Sequence, residues 1–430
     1  VVLLDEYQDT SAAQADLLQG LFSGPDTAHG RGHPVTAVGD PCQAIYGWRG
    51  AAASNILQFA TDFPGRDGFP AASYALTVNR RSGHRILEVA NQLAAALRAD
   101  PVLKDTDAAD SILLAPPDAP PGEVAAATFA TWAEEVTWLA DRVVAARSGG
   151  EVDDWSDIAV LTRRNGDIGP LYAELVSRDV PVEIVGLGGL LSLPEVRDVV
   201  ATLRVLDDVT ANPELLRILT GPRWAIGPRD LALLGRRARE LARDRGEEAD
   251  GGDALVAALE GAVAEIDPTE VISLLDALTD PGDLPYSGEA RARFAALAAE
   301  LAELRTHCDE PVLDLTRRVI ATLGLDVELL ATPQFAKTAR RNQLAVFVDA
   351  IADYVDVDGD ASLGGLLAYF QAEEDHGTGL ERATPSDSDS VKLLTVHKAK
   401  GLEWTMVFLP ALVQGVFPSD RVTDNWLRRA

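Results

Sequence analysis

Residues 1–4, VVLL, form an unbroken apolar run that stops at Asp5 and Glu6. Such a run predicts a strand buried on both faces of a parallel sheet. A second run, PVTAVG at 34–39, stops at Asp40 in the same way, and a helix is expected from about Asn55. Two strands thus deliver carboxylates to one edge, which in open α/β sheets is the edge where ligands bind. SYALTV at 73–78 predicts a further strand. After it, Ser82 can cap a helix that carries Ile86, Leu87, Ala90 and Leu93 on one face.

The proline-rich stretch at 115–122 predicts a loop. A second α/β run follows: TFATW, a helix through EEVTWLADRVVAA, a strand at 157–162, a helix through LYAELVSRDV and a strand at 182–186. This alternation predicts a second parallel-sheet domain. From about Leu193 the apolar period becomes helical almost throughout, with the acidic, glycine-containing segment at 244–253 expected as a mobile surface loop. Residues 377–390 are polar and predict a linker, after which 391–396 and 406–412 predict strands again.

A chain of 430 residues exceeds one compact core, so two or three domains are expected. Apolar residues are 47% of the chain, yet no apolar run approaches the roughly 20 residues needed to cross a bilayer. No membrane association is expected. The two cysteines, Cys42 and Cys308, lack companions at metal or disulfide spacing. With no leader pattern at Val1, a cytoplasmic location fits best. The net charge of −29 argues against coating nucleic acid through the overall field, while leaving room for a local track.

Four segments carry candidate chemistry. An apolar strand ending in Asp5 and Glu6 suits phosphoryl transfer to water: Asp5 can hold Mg²⁺ through its water shell and Glu6 can orient the attacking water. On that pair alone a solvated strand end is the better reading; the longer string DEYQDTS changes the odds. In VGDPCQAIYGWRGA, the amide of Gln43 can sense a γ-phosphate. Tyr46 and Trp48 offer faces for unstacked bases, and Arg49 a phosphate or cation-π contact. Gly47 and Gly50 favour an exposed loop over a core helix here. Arg81, in LTVNRRSGHRILEVAN, is a planar, permanently charged fork suited to transition-state phosphate. The fourth segment is VKLLTVHKAKGLEWTMVFLP.

These segments, in this order, resemble motifs II, III, IV and V of superfamily 1 DNA helicases of the UvrD/Rep/PcrA type. The stretches at 183–206 and 216–228 resemble that family's entry into its 2B subdomain. The resemblance implies an α/β fold of two RecA-like parallel-sheet motor domains, both incomplete, with a largely α-helical 2B-type insertion. The divisions expected are 1–72, 73–192, 193–386 and 387–430, the last returning to the second motor domain. It implies catalytic roles for Asp5, Glu6, Gln43 and Arg81. Arg81, Lys400, Gly401 and Glu403 would contact nucleotide, with Glu403 on a ribose hydroxyl. Tyr46, Trp48, Arg49, Thr395 and His397 would contact DNA. Arg80 stands where the family usually has a base-stacking tyrosine, and guanidinium stacking could replace it.

The implied activity is 3′ to 5′ translocation on single-stranded DNA driven by ATP with Mg²⁺. Unwinding at single-strand/duplex junctions would serve repair or recombination, with repair or nuclease proteins as partners. The alternatives are the motor of a helicase-nuclease and a non-catalytic DNA- or partner-binding subunit. No GxxxxGK[ST] string occurs, since Lys337, the lysine followed by threonine, has no glycine-rich loop before it. The context of Arg428 and Arg429 does not match motif VI. The 430 residues by themselves are therefore expected to bind ATP feebly and hydrolyse almost none; turnover matching full-length relatives in a steady-state assay would overturn this.

Overall fold

The computed structural model describes residues 1–47, 50–101, 103, 112–249, 272–325, 327, 334–358, 362–376 and 385–419. By internal contacts these fall into two units, one formed by Val1–Ala130 with the segment from Leu412 onward, the other by Thr131–Ala411. Each is α/β with parallel strands.

In the first unit, strand β1 (Val2–Leu4) pairs in parallel with β2 (Val35–Ala37), Leu3 opposite Thr36. Both runs therefore form strands and end in acids at the same edge. The helix expected from about Asn55 spans Ser54–Asp62. The strand expected at 73–78 does not form. Only Val78 makes a bridge, to Leu114, and Tyr74 and Leu76 are exposed. A strand needs a neighbouring ladder, and among the described residues the segment and Asn79 just after it make two backbone bonds to Leu114, Leu114 N–H to Thr77 O and Asn79 N–H to Leu114 O.

Ser82 is likewise not the cap of the next helix, His84–Arg98, whose N-cap is Gly83. Orphan amides at a helix start need acceptors. The carbonyls of Pro120 and Pro121 take those of His84 and Arg85, at 3.3 and 2.8 Å. The proline-rich loop thus works as a cap, and Gly83 leaves room for it: a Cβ there would lie 2.6 Å from Pro120 O.

The second unit holds a four-stranded parallel sheet in the order β4-β5-β3-β6, from β3 (Ile158–Thr162), β4 (Val182–Ile184), β5 (Val391–Thr395) and β6 (Met406–Phe408). Residues 128–130 of TFATW are irregular. Thr131 caps the helix Trp132–Ser148 and forms a capping box with Glu134. The strand expected at 406–412 ends at Phe408, two residues before Pro410, which cannot donate to a ladder.

Between β4 and β5 the described chain is helical. Helix Pro194–Asp207 is buried along most of its length, including Val196, Val199 and Leu203. One apolar cluster joins Ile158 and Leu393 of the sheet to Leu203, Phe294, Phe347 and Phe370 of the helices. Helix Pro228–Ala249 continues through 244–249, where a loop was expected. Arginine, glutamate and alanine propagate a helix already nucleated upstream. Residues 250–253 of that segment, and 377–384 of the expected linker, lie outside the described residues. Among the described residues, no helix is long and apolar enough to cross a membrane.

The rest of the expected linker folds back on the sheet. Lys392, 3% exposed, donates from Nζ to Glu183 Oε2 at 2.6 Å, to the carbonyls of Ser386 and Ser388 at 2.8 and 2.9 Å, and to Ser390 Oγ at 3.2 Å. Glu183 also accepts from the Ser386 amide at 2.8 Å. Burial alone would raise the Glu183 carboxyl, but the bonds from Lys392 and Ser386 outweigh it and hold it below the ordinary range. A carboxylate held low when folded adds stability above its unfolded value, and that stability is lost as pH falls through the folded one. Glu183→Gln is expected to cost about 1–3 kcal/mol at neutral pH, with the deficit closing as pH drops below about 4. Urea denaturation of both proteins across pH checks this; a deficit that widens in acid would sink it.

Candidate functional site

The acidic edge of the first unit is built around a buried amide. Asp5 is exposed and one of its oxygens accepts the Glu6 amide at 3.0 Å. Glu6 has φ 49° and ψ 42°, in the left-handed region that side chains other than glycine rarely adopt. The chain turns there into a short 3-10 helix, Tyr7–Asp9, that sends Tyr7 and Gln8 inward. Tyr7 stands edge-on to Phe59, ring centres 5.4 Å apart. Burial, with some help from Asp62, raises its phenol above the ordinary value.

Gln8 is 1% exposed. Its Nε2 donates to Glu6 Oε2 at 2.5 Å and its Oε1 accepts the Asp40 amide at 3.2 Å. Asp40 in turn accepts the Cys42 amide and Gln43 Nε2, both at 2.8 Å. A continuous chain Glu6, Gln8, Asp40, Gln43 therefore spans the ends of β1 and β2. Gln43 is exposed, with one amide hydrogen already engaged by Asp40.

The loop beyond Gln43 is tied to the same edge. Thr10 O accepts the Ala52 amide at 3.0 Å and Asn55 Nδ2 at 2.9 Å, and Ser11 bridges Ala51. Tyr46 is half-buried in that loop. Trp48 and Arg49, expected to contact DNA, lie outside the described residues. Arg81 is exposed in a turn fixed by Asn79, whose Oδ1 accepts the amides of Arg81 and Ser82 at 3.0 and 2.9 Å.

The remaining expected site residues belong to the second unit. Thr395 ends β5 opposite Thr162 of β3. Thr395 O accepts the amides of Lys398 and Ala399 at 3.0 and 3.2 Å, which closes a tight turn over 396–401. Gly401 has φ +84° with open space where a Cβ would stand. His397 is held below its ordinary value by burial and by the charge of Arg163, so the imidazole is neutral at pH 7. Lys400 is half-buried and Glu403 exposed. The structure thus brings Asp5, Glu6 and Gln43 together at one sheet edge, and Thr395, His397, Lys400 and Gly401 in one loop of the other unit.

Three contributors were not singled out from sequence. Gln8 was legible only as part of DEYQDTS, and its bridging needs the register of β1 and β2. Asp40 was noted as a strand end, not as a link. Arg163 follows a strand buried in the sheet, and its proximity to His397 depends on the pairing of β3 with β5. Among the described residues, no group of three or more His, Cys, Asp or Glu side chains could hold a metal.

The family model for the UvrD/REP helicase N-terminal domain matches residues 1–64, and that for the UvrD-like helicase C-terminal domain matches 74–244 and 286–427. The chain belongs to the UvrD-like helicase family. It is 30% identical over 438 residues to ATP-dependent DNA helicase UvrD1 of Mycobacterium tuberculosis, across 99% of this chain and 51% of that protein. It is 28% identical over 427 residues to DNA helicase II of Escherichia coli, and 26% over 431 residues to ATP-dependent DNA helicase Rep of the same organism. These alignments cover 99% of this chain, with 52% of DNA helicase II and 56% of Rep. The chain thus spans about half the length of the curated relatives it matches.

A Cβ on Gly39 would overlap Gln8 Oε1 and lie 3.3 Å from the Gln8 amide. Gly39→Ala is expected to displace the bridge and to destabilise the first unit by about 1–3 kcal/mol. Hydrogen exchange at the Asp40 amide reads this directly. Protection equal to that of the unsubstituted chain would show that Gln8 does not hold the two strand ends together.

Proposed function

We propose that the protein to which these residues belong is an ATP-dependent DNA helicase that moves along single-stranded DNA in the 3′ to 5′ direction and opens duplex at junctions during repair or recombination. The observation that carries this reading is the hydrogen-bonded chain from Glu6 through Gln8 and Asp40 to Gln43. Membership of the UvrD-like helicase family and the helicase names of the relatives support it.

Asp5 presents a hard, exposed carboxylate at the sheet edge, a donor type that fits hydrated Mg²⁺. That ion, when bound with ATP, would neutralise charge developing on the phosphates. Glu6, steered by its backbone and by Gln8, orients the attacking water. Gln43 reports the state of the γ-phosphate back along the chain to Glu6. Arg81, its backbone fixed by Asn79, stabilises charge on the transferred group. Lys400 and Gly401 meet nucleotide phosphate and Glu403 a ribose hydroxyl.

On the DNA side, Tyr46, Trp48 and Arg49 stack on or hold the strand, while Thr395 and neutral His397 hydrogen-bond its phosphates. ATP turnover of the full-length protein is expected to rise with single-stranded DNA and to fall by about 10²-fold or more in Glu6→Gln, the range set by loss of a general base. Absence of DNA-stimulated turnover in the unsubstituted protein would favour a non-catalytic DNA-binding subunit instead.

A further inference from the structure

At the carboxyl edge of the second sheet, one ion pair has its acid fully buried and its lysine largely so. Lys398 Nζ lies 2.9 Å from Glu373 Oε1, with the side chains 13% and 0% exposed. Glu373 comes from helix Leu363–His376, in the helical stretch between β4 and β5. Lys398 sits in the turn 396–401, between His397 and Lys400. The same Glu373 oxygen accepts the Gly188 amide at 3.2 Å.

The surrounding backbone is shaped to admit this pair. Gly186 has φ +96°, and a Cβ there would overlap Lys398 Nζ. A Cβ on Gly188 would meet Glu373 Oε1 at 3.1 Å and overlap the side-chain amide of Asn165, just past β3. Segments leaving β4 and β5 thus meet at one carboxylate, with Asn165 from beyond β3 close against Gly188.

Stability alone does not account for the arrangement. Glu373 Oε2 is buried and has no hydrogen-bond partner among the described residues. Removing two charges from water costs several kcal/mol per ion, and an unsatisfied acceptor adds to it. An apolar pair of similar volume would hold the same elements together at least as well. What the pair supplies is a fixed register between the helix and the turn.

We infer that Lys398 and Glu373 are a positioning pair through which helix Leu363–His376 sets the shape of the 395–401 turn, so that DNA contact at Thr395 and His397 is transmitted to nucleotide contact at Lys400 and Gly401. The inference rests on the motor reading above and assigns neither residue a direct contact with substrate. Losing the pair uncouples the two ends of the turn while leaving both present.

The test measures ATP turnover of the full-length protein with and without oligothymidylate, for the unsubstituted protein, Lys398→Met, Glu373→Gln and the double Lys398→Met/Glu373→Met. The readout is the ratio of stimulated to unstimulated turnover. A smaller folded fraction scales both rates and leaves that ratio intact. Each single variant is expected to lower the ratio about tenfold, with the double no lower than the singles, as for residues acting as a unit. A ratio within about twofold of the unsubstituted protein in either single variant overturns the proposal. If the singles do not fold, the apolar double decides: full stimulation overturns the proposal and lost stimulation supports it. Lack of stimulation in the unsubstituted protein defeats the motor reading, and this inference with it, so the two failures are told apart.

Discussion

A primary amide removed from water has to place its donors and its acceptor, because each unsatisfied group costs about 1–3 kcal/mol. Gln8 meets that demand across two strand ends, giving a hydrogen to Glu6 and taking one from the Asp40 backbone. The pairing of β1 with β2, the short helix after Glu6 and the turn after Asp40 all have to be in place for both bonds to form. In return the acid at one strand end and the amide of Gln43 at the other are linked through the Gln8 side chain and the backbone and carboxylate of Asp40. The proposed site is therefore part of the first unit's packing.

The second unit solves a similar problem with charge. Its β4 and β5 strands are joined by the Lys392–Glu183 pair, and beyond their carboxyl ends Glu373 of helix Leu363–His376 takes both Lys398 and the Gly188 amide. The two pairs differ in how completely they are satisfied. Lys392 is ringed by oxygens from the serines that lead into β5, whereas Glu373 keeps one oxygen without a hydrogen-bond partner among the described residues. The complete cluster anchors the returning chain, and the incomplete pair lies beside the residues proposed to do work. Buried polar groups at a functional edge often carry such a deficit.

Much of this was legible in the sequence, for reasons that differ between elements. Short apolar runs marked all six strand positions, and two of them, before Asp5 and Asp40, end in acids; burial on both faces holds for β5, whereas Leu3 of β1 and Val407 of β6 are exposed because these short strands lie at sheet edges. The run at 73–78 has the same composition but, among the described residues, shares one bridge with Leu114 and no ladder, and partnership is not a local property. The capping of His84–Arg98 by Pro120 and Pro121 was hidden for the same reason: the acceptors come from a loop more than twenty residues away. At the proposed site, residue types make Asp5, Glu6, Gln43 and Arg81 candidates, while Gln8, Arg163 and Lys398 acquire meaning only when register brings them next to something. Chemistry that resides in one side chain could be read; chemistry that resides in a juxtaposition could not.

The left-handed backbone at Glu6 has one more consequence. Holding a side chain other than glycine there costs about 1–2 kcal/mol, so this carboxylate is aimed by a conformation the chain would not choose by itself. Glycine at position 6 would relieve that strain but leave the Gln8 amide without its acceptor, whereas asparagine tolerates the backbone and keeps a side-chain oxygen. At the position proposed to orient water, the backbone thus favours losing the side chain while the buried Gln8 amide favours keeping an acceptor there.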